Sequence, residues 1–130
     1  MATAAAHIES SLQLSTALGD HHLLACAYIR TVYSLVRFTW DPEKSERNFV
    51  ARGFDFEFAT LIFDGPTLER IDSRQDYGEV RRVALGIAHE VPLTVVYTDR
   101  AEGGEVVRRI ISARVSNRRE RQAYAEVFPR

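Results

Sequence analysis

Residues 79–115 read EVRRVALGIAHEVPLTVVYTDRAEGGEVVRRIISARV, and this stretch decides the fold. Three runs alternate apolar and polar residues with a period near two: Glu79 to Ile87, Leu93 to Thr98 and Val106 to Val115. Alternation rich in Val, Ile, Thr and Tyr suits a pleated, half-buried strand. The spacers are short. His89 to Pro92 fits a hairpin connection and Asp99 to Gly104 a looser turn. Parallel neighbours need crossovers of about a dozen residues or more, so successive short connections favour antiparallel pairing.

Upstream, Thr67 to Asp72 adds a further strand, and the period before it changes. Val36-Arg37-Phe38-Thr39-Trp40 is a short β-prone run closed by Asp41-Pro42. Asp41 is a good N-cap, and Pro42 fits the first helical position, where a missing N–H costs nothing. A helix then runs through Asn48 to about Arg52, with Gly53 as its stop. Phe54, Phe58, Leu61 and Ile62 form the buried stripe of a second helix, ended by Asp64-Gly65-Pro66. Downstream, Asn117 and Glu120 make a capping-box start for a last helix through Tyr124 to about Val127. The expected order is β-α-α-β-β-β-β-α. This is an α+β domain over residues 36–130, with helices packed against one antiparallel sheet.

Residues 1–35 form a different segment, a leader. They hold only Glu9, Asp20 and Arg30 as charged side chains, together with three of the four histidines. A secretory signal places its positive residues before an apolar run; here the first is Arg30, after it. No stretch is long and apolar enough to span a membrane, so a cytoplasmic location is expected. Asp20 can cap a short helix carrying Leu23, Leu24, Ala27, Tyr28 and Thr31 on one stripe. His21, His22 and Cys26 lack the fourth ligand a zinc site needs. One cysteine in 130 residues also excludes an internal disulfide framework.

Charge is distributed more informatively than its total of -1. Arg108, Arg109, Arg114, Arg118, Arg119, Arg121 and Arg130 make the C-terminal stretch basic, facing only Glu105, Glu120 and Glu126. A near-neutral chain cannot coat nucleic acid by overall charge, but a local basic patch can bind phosphate. No P-loop, dinucleotide fingerprint, nucleophile elbow or zincin helix is present. His89 is read as an exposed turn residue, and Trp40 and the phenylalanines as core.

Under strict alternation, Arg108, Ile110, Ser112 and Arg114 share one face of the last strand, and Arg109 projects toward the core side. Arg118 and Arg119 open the final helix, where cations cost about 0.3–1 kcal/mol each unless an anion is bound nearby. Glu79 and Arg81, two residues apart, share a face at the start of another strand. Arginines, Glu79 and the phenols of Tyr97 and Tyr124 make a plausible phosphodiester site. Arginines neutralise phosphate while a carboxylate or phenol moves protons.

These residues resemble a known family. Trp40-Asp41-Pro42-Glu43-Lys44 with Asn48, Gly53-Phe54 before Ala59, and Gly78-Glu79-Val80-Arg81 carry the first half of the likeness. Gly86, Val96-Tyr97-Thr98, Ile110-Ile111-Ser112-Ala113-Arg114, Arg118-Arg119-Glu120-Arg121 and Tyr124 carry the second. Together they look like BrnT, the toxin of a bacterial type II toxin–antitoxin system. The resemblance implies a RelE-like fold, a ribonuclease that needs no metal or other cofactor, and growth arrest. It also implies tight inhibition by a BrnA-like antitoxin in a hetero-oligomer. That antitoxin carries a ribbon-helix-helix domain, through which alone the complex reaches operator DNA.

The family usually has Lys-His-Gly at the end of the first helix, where this chain has Ala51-Arg52-Gly53, and often a histidine where this chain has Gln75. Glu79 is therefore the expected general base, with Tyr97 as second choice. Arg81, Arg114 and Arg118 are expected on the phosphate, with Arg108, Arg119 and Arg74 as further phosphate-binding side chains. The expected step is attack of a ribose 2′-OH on the adjacent phosphate, which spares DNA. The alternative is a catalytically weak or inactive module that acts by binding an antitoxin-like partner. Direct DNA binding is disfavoured, since no helix-turn-helix is visible. Family chains commonly begin just before the Arg-Phe-x-Trp-Asp run, so Val36 is the expected translation start and residues 1–35 an upstream extension.

Overall fold

A computed structural model describes residues 26–29, 36–73 and 78–129. Its elements are β1 (Cys26–Ile29), β2 (Val36–Trp40), α1 (Pro42–Arg52), α2 (Phe56–Ala59), a 3-10 segment (Thr60–Asp64), β3 (Pro66–Ile71), β4 (Arg82–Ala88), β5 (Val91–Glu102), β6 (Glu105–Val115) and α3 (Arg118–Val127). The strands form one sheet in the order β1-β3-β4-β5-β6-β2. The architecture is α+β, as the alternating runs require.

Capping fixes the helices where expected. The Asp41 side chain accepts from the Glu43 N–H at 2.9 Å, Pro42 opens α1, and Gly53 closes it in the left-handed region at φ 87. Ser45 and Asn48 then tie α1 to the following turn. Ser45 Oγ accepts from the Phe56 N–H at 3.0 Å, and Asn48 Nδ2 donates to the Phe54 carbonyl at 3.0 Å. The second helix starts later than its apolar stripe, because Asp55 caps it by accepting from Phe58 N–H. It tightens into the 3-10 segment before Gly65-Pro66. Phe56, Ala59, Ile62 and Phe63 from this region pack against Ala84, Leu93, Val95, Tyr97, Ile110 and Ala113 of the sheet. Phe38 and Trp40 are partly buried against that core.

Several expectations are corrected. The sheet is mixed, since β2 runs parallel to β6, with Phe38 opposite Arg108 and Trp40 opposite Ile110. The helices and three strands lying between β2 and β6 supply the long crossover that parallel pairing needs. In the leader, Cys26–Ile29 is a strand paired antiparallel with β3, not part of a helix. A single marginal helical stripe has little stability alone, whereas the β3 edge offers unpaired backbone groups. The other leader residues, His7, His21 and His22 among them, lie outside the described residues. β4 begins at Arg82, so Glu79 and Arg81 precede it.

The β5–β6 hairpin is longer than its sequence pattern. It extends to Glu102 opposite Glu105, and turns through Gly103 and Gly104 at φ 57 and 82, a two-residue turn that demands positive φ. The β4–β5 turn makes the same demand of His89 and Glu90, at φ 45 and 69.

One irregularity rearranges the candidate site. Val96 pairs with Ser112, but Tyr97 pairs with Ile110, so Ile111 is an extra residue in β6. Such a bulge inverts the in–out pattern on one side of it. Before the bulge Arg108 and Ile110 face the core; after it Ala113 does. On the opposite face, Arg109, Ser112 and Arg114 stand beside Thr98, Val96 and Thr94. Strict alternation had placed Arg108 with Arg114 and turned Arg109 inward. The bulge reverses those two arginines.

Candidate functional site

The outer face of the sheet, opposite the α1–α2 layer, carries the arginines. At one end, a cleft of about 410 Å³ is lined by Thr39, Glu79, Val80, Thr98, Asp99, Arg100, Val107 and Arg109. Its wall before β4 is held to the sheet by backbone and hydroxyl contacts. The Asp72 N–H donates to the Arg81 carbonyl at 2.8 Å, and Thr98 Oγ1 donates to the Val80 carbonyl at 2.7 Å. Glu79 and Arg81 stand together as expected, with Arg81 Nη2 3.1 Å and Nε 3.2 Å from the same oxygen, Glu79 Oε1. The guanidinium thus engages one carboxylate oxygen rather than both. The Glu79 side chain is 38% exposed.

At the other end lies α3. Asn117 caps it by accepting from the Glu120 N–H, and Glu120 Oε1 accepts from the Asn117 N–H at 2.8 Å, completing the expected capping box. Glu120 also binds Arg114 in a fork, with Nη1 to Oε1 at 2.7 Å and Nη2 to Oε2 at 2.8 Å. Thr94 Oγ1 donates to the same carboxylate at 3.0 Å. Burial pushes the Glu120 carboxyl up, but the hydrogen bonds from Arg114, the Asn117 backbone and Thr94 outweigh it. They hold it below the usual carboxylate range. Arg118 and Arg119 are exposed in the first turn of α3. Arg119 lines a separate groove with Leu68, Arg70, Val83, Leu85 and Ala123. Tyr124 donates to the Pro66 carbonyl at 2.9 Å.

Two expected site residues are buried on the core side of the sheet. Tyr97 is 2% exposed, and its hydroxyl donates to Glu69, which also accepts from Thr67 Oγ1 at 2.7 Å. Burial, and then the Glu69 carboxylate, raise the phenol far above its ordinary pKa. Tyr97 therefore keeps its proton and acts as a donor. Arg108 lies beside it, with its guanidinium carbon 4.2 Å from the Tyr97 ring centroid and 4.7 Å from that of Phe63. Its Nε and Nη2 each lie 2.8 Å from an Asp99 carboxylate oxygen. Burial works against the Arg108 charge, but the hydrogen bonds to Asp99 more than offset it.

The structure thus brings Glu79, with Arg81 bonded to it, to one cleft, Arg114 and Arg118 to the α3 end, and Tyr97 and Arg108 beneath the sheet. Arg74 lies outside the described residues. Arg109 and Asp99 belong to the cleft but were not among the expected site residues. Gly103-Gly104 could have revealed Asp99, because a two-residue turn there sets Asp99 opposite Arg108. Among the described residues, no three His, Cys, Asp or Glu side chains are grouped as metal ligands. No helix among them is long and apolar enough to cross a membrane.

The domain is thus a small α+β fold whose outer sheet face carries arginines, with a carboxylate–arginine pair at one end. The sequence profile described as ribonuclease toxin, BrnT, of type II toxin–antitoxin system matches residues 40–120. The chain belongs to this BrnT family. The match runs from Trp40 at the end of β2 to Glu120 in α3, and so includes every cleft-lining residue but Thr39, together with the Arg114–Glu120 pair. Membership makes the chain a toxin of the ribonuclease type and implies an antitoxin as its partner. Among curated proteins, no sequence matches the chain.

Proposed function

We propose that the chain is an endoribonuclease toxin, of the mRNA-cleaving kind, whose cleft beside Glu79, Arg81 and Arg109 receives the scissile phosphate. The observation that carries this reading is the meeting of Glu79, held through one oxygen by Arg81, with Arg109 and Thr98 in a single open cleft. Arg81 uses only one Glu79 oxygen, which leaves Oε2 to accept the proton of a ribose 2′-OH. The 2′-oxygen attacks the adjacent phosphorus, the P–O5′ bond breaks, and the products are a 2′,3′-cyclic phosphate and a free 5′-hydroxyl. Arg81 and Arg109 carry the charge that builds on the phosphate oxygens. Arg114 and Arg118, at the α3 end of the same face, hold flanking phosphates; Arg119 and Arg74 extend that basic strip.

Tyr97 and Arg108 take no direct part in this step, because both lie beneath the sheet. The mechanism needs no metal. The body from residue 36 onward is the toxin, acting in the cytoplasm and arresting growth. A BrnA-like antitoxin with a ribbon-helix-helix domain neutralises it and carries the hetero-oligomer to operator DNA.

The test is expression of the full chain in bacteria, with and without an antitoxin, followed by assay of the purified protein on RNA with and without EDTA. Growth arrest, chelator-resistant cleavage and cyclic-phosphate ends are expected, and Glu79→Gln with Arg109→Ala should abolish all three. Cleavage lost with chelator refutes the metal-free step. A stable antitoxin complex without any cleavage reduces the chain to a binding module.

A further inference from the structure

Beside α3, the outer face of the sheet holds a groove of about 220 Å³. Its floor is apolar: Val83, 4% exposed, lies with the half-buried Leu68 and Leu85, and Ala123 of α3 forms one wall. The strand register fixes which way these side chains point. Leu68 pairs with Leu85 and Arg70 with Val83. Leu85 also pairs with Thr94, whose hydroxyl reaches Glu120 of α3. All four groove residues of β3 and β4 therefore stand on the face that carries α3. The helix does not close over them, since none of its residues is buried.

The charge of the groove is one-sided. Arg70 and Arg119 border it, both exposed, and neither has an acidic partner among the described residues. The acids alongside are engaged elsewhere. Glu69 turns its carboxylate to the core side, where Tyr97 and Thr67 bind it, and Glu120 is held by Arg114, Thr94 and the Asn117 N–H. An apolar centre ringed by polar groups, with arginine enriched, is the make-up of a protein–protein contact. RNA would find two cations here but no aromatic ring on which to stack a base. Strand addition is closed on this side because β1 already occupies the β3 edge, which leaves the groove to the apolar face of a helix.

We propose that this groove docks an acidic amphipathic helix of the antitoxin, with leucine-like side chains on Val83 and Leu85 and carboxylates on Arg70 and Arg119. This docking rests on the antitoxin partner of the reading above and adds where that partner sits. Arg119 also belongs to the basic strip given to flanking phosphates, so a carboxylate on it excludes RNA from that strip.

The experiment follows the fluorescence anisotropy of a labelled helical peptide, leucines on one face and glutamates on the other, added to the full chain. Circular dichroism checks the folding of each variant. The wild type should bind the peptide, and more weakly as salt rises. Arg70→Glu with Arg119→Glu, both at exposed positions, turns two ion pairs repulsive and should cut affinity about tenfold. A peptide with lysine in place of glutamate should recover binding to that double variant, which a merely structural effect would not allow. Ala123→Trp fills the groove and should abolish binding of both peptides. On co-expression, a BrnA-like antitoxin should co-purify with the wild type and not with Ala123→Trp.

Failure of the wild type to bind, binding that survives Ala123→Trp, or no recovery with the lysine peptide overturns the docking. So does an Arg70→Glu variant that loses affinity for a labelled single-stranded RNA but not for the acidic peptide, which makes the groove a nucleic-acid site. Antitoxin that co-purifies equally with wild type and Ala123→Trp overturns the groove and leaves the antitoxin reading standing. Peptide binding as expected, with no antitoxin retained by the wild type, does the reverse: the groove stands and the antitoxin reading falls.

Discussion

Removing the Glu120 carboxylate tests how far α3 is held by one side chain. Glu120 receives the Asn117 N–H, the Thr94 hydroxyl and both Arg114 nitrogens, and its side chain is 16% exposed against 44% for Arg114. Three losses add in Glu120→Ala. Half a capping box is worth about 0.5–1 kcal/mol. An acidic residue in the first turn contributes about 0.3–1 kcal/mol against the macrodipole. A forked but half-exposed ion pair contributes at most about 1 kcal/mol. Thr94 adds little, because its hydroxyl keeps Ser116 at 2.8 Å. The total is about 2 kcal/mol, or a Tm lower by roughly 10 °C. Glu120→Gln keeps the shape and one acceptor, and should lose about 1 kcal/mol.

The pH dependence gives the decisive sign. Glu120 is held below its ordinary carboxylate range in the folded state. Its contribution is therefore present above the unfolded value of about 4.3 and is lost as pH falls through the folded one. Urea unfolding of wild type and Glu120→Gln, from about pH 7 to about pH 3, should show a gap that closes in acid. A gap that is absent at neutral pH, or unchanged at the acid end, refutes this account of α3.

Three further substitutions probe the scaffold. A Cβ added at Gly86 would sit 2.7 Å from Ile62 Cβ and 3.3 Å from Thr67 Cγ2. Gly86→Ala should therefore cost about 1–3 kcal/mol by urea unfolding, and Ile62→Ala should not rescue it, because alanine keeps the clashing Cβ. His89 and Glu90 occupy a turn that prefers Asn-Gly, so His89→Asn with Glu90→Gly should raise stability by about 1 kcal/mol in thermal melts. Tyr97→Phe deprives a buried Glu69 oxygen of its donor and should lower unfolding free energy by about 1–3 kcal/mol, measured in urea.

Legibility followed the range of the interaction. Asp41-Pro42 to Gly53 and Asn117 with Glu120 were readable because caps are satisfied within one turn of their own helix. Glu79 and Arg81 were readable as neighbours even though β4 begins after them, since side chains of opposite charge two residues apart meet in a local ion pair. The split of the second helix was less visible: its apolar stripe is continuous through Phe54, Phe58, Leu61 and Ile62, and only the Asp55 cap decides where helical bonding starts. The parallel β2–β6 pairing is non-local and leaves no mark in either strand. Ile111 was not legible as a bulge because Ile110-Ile111 fits an unbroken alternating run as well as an interrupted one. That single extra residue changed which arginine faces outward.

The bulge also explains how one strand serves two opposed needs. Arg108 and Arg109 are adjacent in sequence, and in any strand adjacent side chains face opposite ways. An unbroken β6 would set Arg108 and Arg114 on the same side, so that one of them would have to enter the core opposite the other's role. With Ile111 extra, Arg108 goes inward to Tyr97, Phe63 and Asp99, while Arg109 and Arg114 share the outer face with Thr98 and Thr94. Four positions separate Thr98 from Thr94 along β5, so Arg109 and Arg114 stand about 13 Å apart on that face. This distance separates the arginine of the cleft from the second outward arginine of β6, which is bonded to Glu120. The guanidinium turned inward is the one whose charge is matched in a fork by Asp99, directly opposite it on the same side of the hairpin, so the buried pair and the outward arginines occupy the two faces of one hairpin.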